Sequence, residues 1–453
     1  MRRCLCNASL IVLAMLSVKP EPGVGDTLSR KVDRYLAPYL QGNNFTGVVL
    51  IARGDRVLVN TAYGLANRSW RIANMPGTRF HIASVSKPFT AAAILVLEER
   101  GLLRTRDQVS KYVPDFPHAD EITLLHLLTH TSGIPNVNDM PEYETAQRLP
   151  QTPRSLIALF KNEPLHFPPG TKYEYSNSNY ILLAYIIEAV SRKAYGEFLR
   201  ENIFSPLGLA DAGHDGNAAD VIARCASGYQ PHGVTDLENA PYVDWSAKTG
   251  NGSLYSTASD VFRFIRAYAQ GMLVKPETVM QVWTEKPGNN FGWFVRKSHG
   301  QLAVATNGRS PGFTASAEYY PAQKLTVVVL SNSYSPVSQS PIAEDLAAMA
   351  LGQSVPPPAK IVPAPIGGAA LEKLEGKYRF GHDFYRPNAE VQIRINDGQA
   401  ELDWGQNFRS ALIPVGEGEF VDRQFWARVR MSPDGSGFTY STSGREFKAE
   451  RVR

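Results

Sequence analysis

The chain has 453 residues, 43% hydrophobic and 20% charged, with a formal charge of +4. This is ordinary globular composition, but too long for one compact core, so two domains are expected. Lysine and arginine do not gather into a basic face, which argues against a nucleic-acid partner, and no segment beyond the N-terminus is apolar for long enough to span a bilayer.

Residues 1–22 open with Arg2 and Arg3, run mostly apolar to Leu16 and end in a polar Pro/Gly stretch. That is the layout of a secretory signal peptide and predicts an exported, periplasmic or secreted protein, although Asn7 and Ser9 interrupt the apolar run and no cleavage site stands out. Cys4 and Cys6 fall in this segment and Cys225 stands alone. Neither a disulfide framework nor a metal-ligand spacing follows, and Cys225 reads as a packed small residue. Phe45 to Gly64 reads as a hairpin turning at Arg53-Gly54-Asp55. Val85 to Arg100 reads as a helix ending before Gly101, and Asn179 to Arg192 as a second, buried helix. Strand-like runs return late, in QLAVAT, FTASAEYY and LTVVVLSN.

Strands at both ends with helices between predict an α+β domain over residues 25–352, its antiparallel sheet closed by the two ends of the domain. Residues 353–369 hold a proline-rich linker, QSVPPPAKIVPAPIGG, that cannot continue regular elements. Residues 370–453 alternate apolar and polar, as in AEVQIRI and FWARVRM, between turn signals at Asn396-Asp397-Gly398, Pro433-Asp434-Gly435 and Ser443-Gly444. This predicts a small antiparallel β domain, a barrel or a sandwich.

The candidate chemistry begins at Ser84-Val85-Ser86-Lys87. A serine hydroxyl needs a base; a lysine one helical turn later reaches it, and burial would let that lysine lose its proton. The plainer reading is a helix-capping serine with an exposed lysine. Tyr175-Ser176-Asn177 follows Pro168-Pro169-Gly170 and precedes a helix, so Tyr175 is placed to move a proton and Asn177 to hold Lys87 or a substrate amide; helix capping is again the alternative. His126 and His130 stand four apart, but no Glu follows the first, and they read as packing or capping residues rather than metal ligands.

These residues resemble the Ser-x-x-Lys and Tyr-x-Asn motifs of class C β-lactamases, D-alanyl-D-alanine carboxypeptidases and related esterases. FHIASVSKPFTA, ITLLHLLTHTSGIP, FPPGTKYEYSNSNY and GSLYSTASDVFRF look like that family's blocks in its order, over about residues 25–350. The resemblance implies a β-lactamase/transpeptidase-like domain, and a tail similar to the β-barrel-like domains that follow some of these hydrolases and shape the cleft. It also implies an acyl-enzyme on Ser84 with Lys87 and Tyr175 accepting its proton, and no metal or organic cofactor. The family's third motif, Lys or His before a small residue and Gly, corresponds to Thr306-Asn307-Gly308, with Thr306 in place of the cation. By the same analogy the N–H groups of Ser84 and Arg309 form the oxyanion hole. Thr306 puts carboxylate binding in doubt, which ranks an ester or D-amino-acid peptide above a β-lactam as substrate, with Arg309 as a possible substitute cation. A non-catalytic sensor or binding protein is the rival class.

Two further matches read as decoys. Lys248-Thr249-Gly250 is a literal third motif but runs toward a helix, not along the late strand. Gly308-Arg309-Ser310-Pro311-Gly312 fits Gly-x-Ser-x-Gly, but no helix follows Ser310 as a nucleophile elbow requires. Trp293 reads as core beneath the cleft.

Overall fold

The computed structural model describes residues 24–452, apart from 286–287, 337–339, 406–408 and 443–444. The leader reading and the Ser443-Gly444 turn lie outside the described residues. The first domain is built on a seven-stranded antiparallel sheet. Its strands are β1 (Gly47–Arg53), β2 (Arg56–Tyr63), β3 (Asn289–Asn290), β4 (Trp293–Ser298), β5 (Gln301–Ser310), β6 (Phe313–Tyr320) and β7 (Leu325–Ser331), in the order β3-β4-β5-β6-β7-β1-β2. The early hairpin docks onto the late strands, with β1 pairing β7 from Gly47↔Ser331 to Arg53↔Leu325. That is the closure of the domain by its own ends that the sequence predicts.

Strand β1 shows why. In GVVLIAR, Val48 and Leu50 join the main core while Val49 and Ile51 join a second core on the opposite face. A strand apolar on both faces is stable only between two layers, each such side chain contributing about 1.5–3 kcal/mol. The second layer is helix α1 (Val24–Gln41), which buries Leu28, Val32, Tyr35 and Leu36 at three- and four-residue spacing, against the late helix Pro341–Ala350 with Ile342 and Leu346. The main core holds helix α2 (Lys87–Glu99), helix α3 (Asn177–Ser191) and helix α4 (Ala258–Ala269). Trp293 is fully buried there, as expected.

Residues 353–367 form no helix or strand. Beyond them, eight antiparallel strands between Gly376 and Arg451 close into a barrel, the first pairing the last at Tyr378↔Arg451. Tyr378, Ile393, Leu402, Leu412, Phe420 and Val429 fill its interior. The barrel is anchored on the first domain by Arg423, whose side chain is buried and donates to the main-chain carbonyls of His232, Gly233 (2.7 Å) and Gly42 (3.1 Å). Next to it, the Trp426 ring meets Tyr39 edge-on, centroids 5.1 Å apart.

Candidate active site

Ser84 sits in a 3-10 turn, Ala83–Ser86, that leads straight into α2. The sequence reading starts the helix at Val85; the turn instead tightens the first residues, which lets Lys87 come back under Ser84. Ala83 holds the left-handed backbone at φ +47°, unusual for a residue with a Cβ and imposed by the contacts around it. Ile82 N–H donates to Leu254 O, and Leu254 N–H donates to Ser86 Oγ, pinning the turn from both sides.

Lys87 is 1% exposed. Its Nζ lies 3.0 Å from Ser84 Oγ and donates to Asn177 Oδ1 and to Asn251 O, both at 2.8 Å. Burial, with the Lys248 cation as a second cause, pushes the Lys87 ammonium well below its ordinary value, toward the neutral amine. Tyr175 donates to Ser84 Oγ at 3.0 Å. Burial pushes its phenol up. The two shifts set Lys87 toward an amine that can accept a proton and Tyr175 toward a protonated phenol that can donate one. Asn177, first residue of α3, carries Lys87 on Oδ1 and donates through Nδ2 to Asn138 Oδ1 at 2.7 Å. The serine, lysine and tyrosine thus converge on one oxygen, and neither capping alternative holds for them.

The two histidines take a capping and a packing place, the second against Tyr175. His126 Nδ1 accepts from Thr123 N–H in a helix cap. His130 is buried, accepts from Ser176 N–H at 3.1 Å, and lies stacked on Tyr175 with centroids 4.5 Å apart. Burial pushes His130 down, so a neutral ring supports the tyrosine.

Strand β5 borders the nucleophile. A Cβ at Gly308 would lie 2.5 Å from Ile82 O and 2.6 Å from Ser84 N, so only glycine lets the strand approach this closely. Pro311 and Gly312 (φ +82°) turn the chain into β6 on the Ser310↔Phe313 pair. Alternation along an antiparallel ladder then turns the Arg309 N–H away from β6, toward the edge that β4 leaves after pairing Ala305. The Arg309 side chain lies over the Tyr334 ring, 5.4 Å from its centroid, and is exposed. Thr306 is buried on the same strand. Ser310 ends β5 and is followed by a turn and a strand, with no helix.

Lys248 stands at the end of a 3-10 turn, Trp245–Lys248, and not on the strand. Its side chain is buried and donates to Tyr143 Oη at 3.4 Å, and its main-chain carbonyl accepts from Asn251 N–H. Sequence reasoning missed Asn251, which meets Lys87 Nζ through a main-chain carbonyl that any residue type could supply.

The beta-lactamase family profile matches residues 32–351, and the chain belongs to that family. Penicillin-binding protein 4* of Bacillus subtilis is 27% identical over 436 residues, 91% of this chain and 96% of its own. The crystal structure of a penicillin-binding protein from Bacillus halodurans is similar at 26% identity and a TM-score of 0.61, covering 73% of this chain and all but 1% of its own length (99%). D-amino acid amidase from Ochrobactrum anthropi SV3, solved with D-phenylalanine, shares the fold at 21% identity and a TM-score of 0.65, over 72% of this chain and 100% of its own. With this family comes the class of serine hydrolase.

Proposed function

We propose that the protein hydrolyses an ester or an amide, a D-amino-acid peptide included, through an acyl-enzyme on Ser84. The observation that carries this is the placing of Lys87 Nζ and Tyr175 Oη each 3.0 Å from Ser84 Oγ, with the lysine held toward its neutral form. Ser84 Oγ attacks the carbonyl carbon while its proton passes to Lys87 Nζ. The N–H groups of Ser84 and Arg309 receive the oxyanion. As the tetrahedral adduct collapses, the carbon–leaving-group bond breaks and Tyr175 protonates the leaving group, recovering its proton from Lys87. Water then attacks the acyl carbon by the same route and frees Ser84.

Thr306 places no cation on the strand, and the Arg309 guanidinium turns to Tyr334. An ester or peptide therefore ranks above a β-lactam, and a neutral acyl donor above a matched one bearing a carboxylate. The 25–352 domain carries all of this chemistry; the 370–453 barrel contributes shape. Residues 1–22 add export to the reading.

Intact mass measurement after incubation with a fluorophosphonate, and separately with a penicillin, tests the assignment. An adduct from the first on the natural protein, lost in Ser84→Ala, is the expected result, with a folding cost of at most about 1–2 kcal/mol. Labelling that survives Ser84→Ala overturns the nucleophile; labelling by neither reagent favours a silent binding protein.

A further inference from the structure

Tyr175 reaches Ser84 from a loop, and one residue holds that loop on both sides of the tyrosine. His130 O accepts from Glu174 N–H at 2.9 Å, and His130 Nδ1 accepts from Ser176 N–H at 3.1 Å. The His130 ring lies stacked on the Tyr175 ring itself, centroids 4.5 Å apart and planes 27° apart. Loops are ordinarily the more mobile parts of a fold, yet the ring of Tyr175 and both its chain neighbours meet this single residue.

His130 takes up an uncommon backbone to do so. Its φ is +54°, in the left-handed region that a residue with a Cβ enters only under constraint. It follows the short helix Leu124–Leu128, and the chain then turns again at Gly133, φ +78°, where a Cβ would lie 2.2 Å from Phe167 O. Segment 130–133 is thereby laced to the tyrosine loop. Besides the bonds to 174 and 176, Thr131 O accepts from Gly170 N–H at 2.8 Å and Gly133 O from His166 N–H at 2.9 Å.

The ring has no room to turn away. His130 is 0% exposed, and Tyr180 and Tyr173 add rings with centroids 5.2 and 6.2 Å from its own. Asn179 Nδ2 is a second donor to Nδ1, at 3.3 Å, its Oδ1 being taken by Ser132 Oγ at 2.6 Å. Two donors converge on Nδ1, so that nitrogen serves as an acceptor and carries no proton.

We infer that His130 is a positioning residue of the catalytic centre: it fixes the height and tilt of the Tyr175 phenol against Ser84 Oγ, and with them the step in which Tyr175 protonates the leaving group. The inference rests on the Ser84–Lys87–Tyr175 mechanism above and extends it to the range of substrates. A leaving group that departs as a stable anion needs little help from an acid, whereas a strongly basic one needs a proton delivered as its bond breaks. His130 therefore sets how poor a leaving group the site can expel.

The test is kcat/KM across a series of aryl butyrates, from p-nitrophenyl to p-methoxyphenyl. His130→Phe keeps a ring and removes the acceptor; His130→Asn places an acceptor oxygen near the Nδ1 position and removes the ring. A positioned acid contributes about 10²–10⁴-fold, and a misplacement of ~1 Å costs up to about 10²-fold. In His130→Phe the poorest leaving group should lose about tenfold more than p-nitrophenyl does, with a smaller selective loss in His130→Asn. A loss of equal size across the series, or no loss, overturns the inference, because a merely structural residue changes the amount of active enzyme and not its dependence on the leaving group. If His130→Phe does not fold, the same comparison on His130→Asn decides. Tyr175→Phe is run alongside: if it keeps the natural dependence, the mechanism itself has failed, and not the placing of the tyrosine.

Discussion

Gly308 stands so close to Ser84 that a Cβ on it would lie 2.6 Å from the serine amide nitrogen. The same added atom would meet Ile82 O at 2.5 Å, and both neighbours are backbone, so neither can rotate aside. Gly308→Ala must therefore push β5 away from the nucleophile and spread the two N–H groups that would hold the oxyanion. Loss of one such donor costs about 10²–10³ in rate. We expect kcat to fall by that order with KM changed far less. Steady-state kinetics on a neutral ester checks it; a variant with natural kcat would show that β5 takes no part.

Thr306 offers a hydroxyl where relatives are expected to carry a cation. A charge-assisted hydrogen bond is worth about 1.5–3 kcal/mol, or about 10–150-fold. The natural protein should turn over a neutral ester better than a matched acid-bearing analogue, and Thr306→Lys should narrow or reverse that preference by improving the acid. If the natural protein already prefers the acid, another cation serves the substrate, with Arg309 the first candidate.

Glu318 lies on β6, 1% exposed, accepting from Tyr320 Oη at 2.7 Å and from Arg296 at 3.2 Å. Burial pushes its carboxyl up to about 7. The folded state therefore holds a proton that the unfolded state has released above about pH 4.5. Its cost to stability is absent below that pH, grows as pH rises toward 7 and is constant beyond, reaching about 3 kcal/mol at most. Glu318→Gln should be more stable than the natural protein at pH 8 and no more stable at pH 4. Denaturant melts at the two pH values decide it, and a pH-independent difference would refute it.

The barrel is held by Arg423, whose three main-chain carbonyl partners all belong to the first domain. Arg423→Ala should cost about 2 kcal/mol, the worth of charge-assisted bonds left unmade. A chain ending at Gln353 keeps every site residue and should still be labelled at Ser84, with a lower Tm because Tyr39 and Asn44 lose their cover. Calorimetry on both variants measures the contribution; an aggregate in place of a labelled protein would mean that the barrel belongs to the main core.

Much of the site was legible because helical spacing is a strong geometric statement. Ser84 and Lys87 are three apart and one turn carries them together; Tyr175 precedes a helix start and the loop delivers it. The sheet was legible through the alternation of β1 and the late strands, and the tail through its turn residues. Sequence could not show that the 248–252 turn reaches the base, because that depends on Gly250, φ +83°, packing against Tyr180 O of α3. The role of Asn251 was equally hidden, since a carbonyl oxygen leaves no mark in a residue's identity. The direction of Arg309 needed the strand's register, and the grip of Arg423 needed the docking of two domains.

The pairing of Gly47 with Ser331 sets a timetable for the chain's assembly. Strand β1 is made early, but its partner β7 is synthesised only after most of the first domain. Until then Val48 to Ile51 must wait with one edge uncovered, and closing so long a loop is slow. A nascent chain arrested before Leu325 would leave uncovered one edge of a strand that is apolar from Val48 to Ala52, the kind prone to pair with a copy of itself. Helpers that shield this hairpin until β7 is made would raise the yield of folded protein.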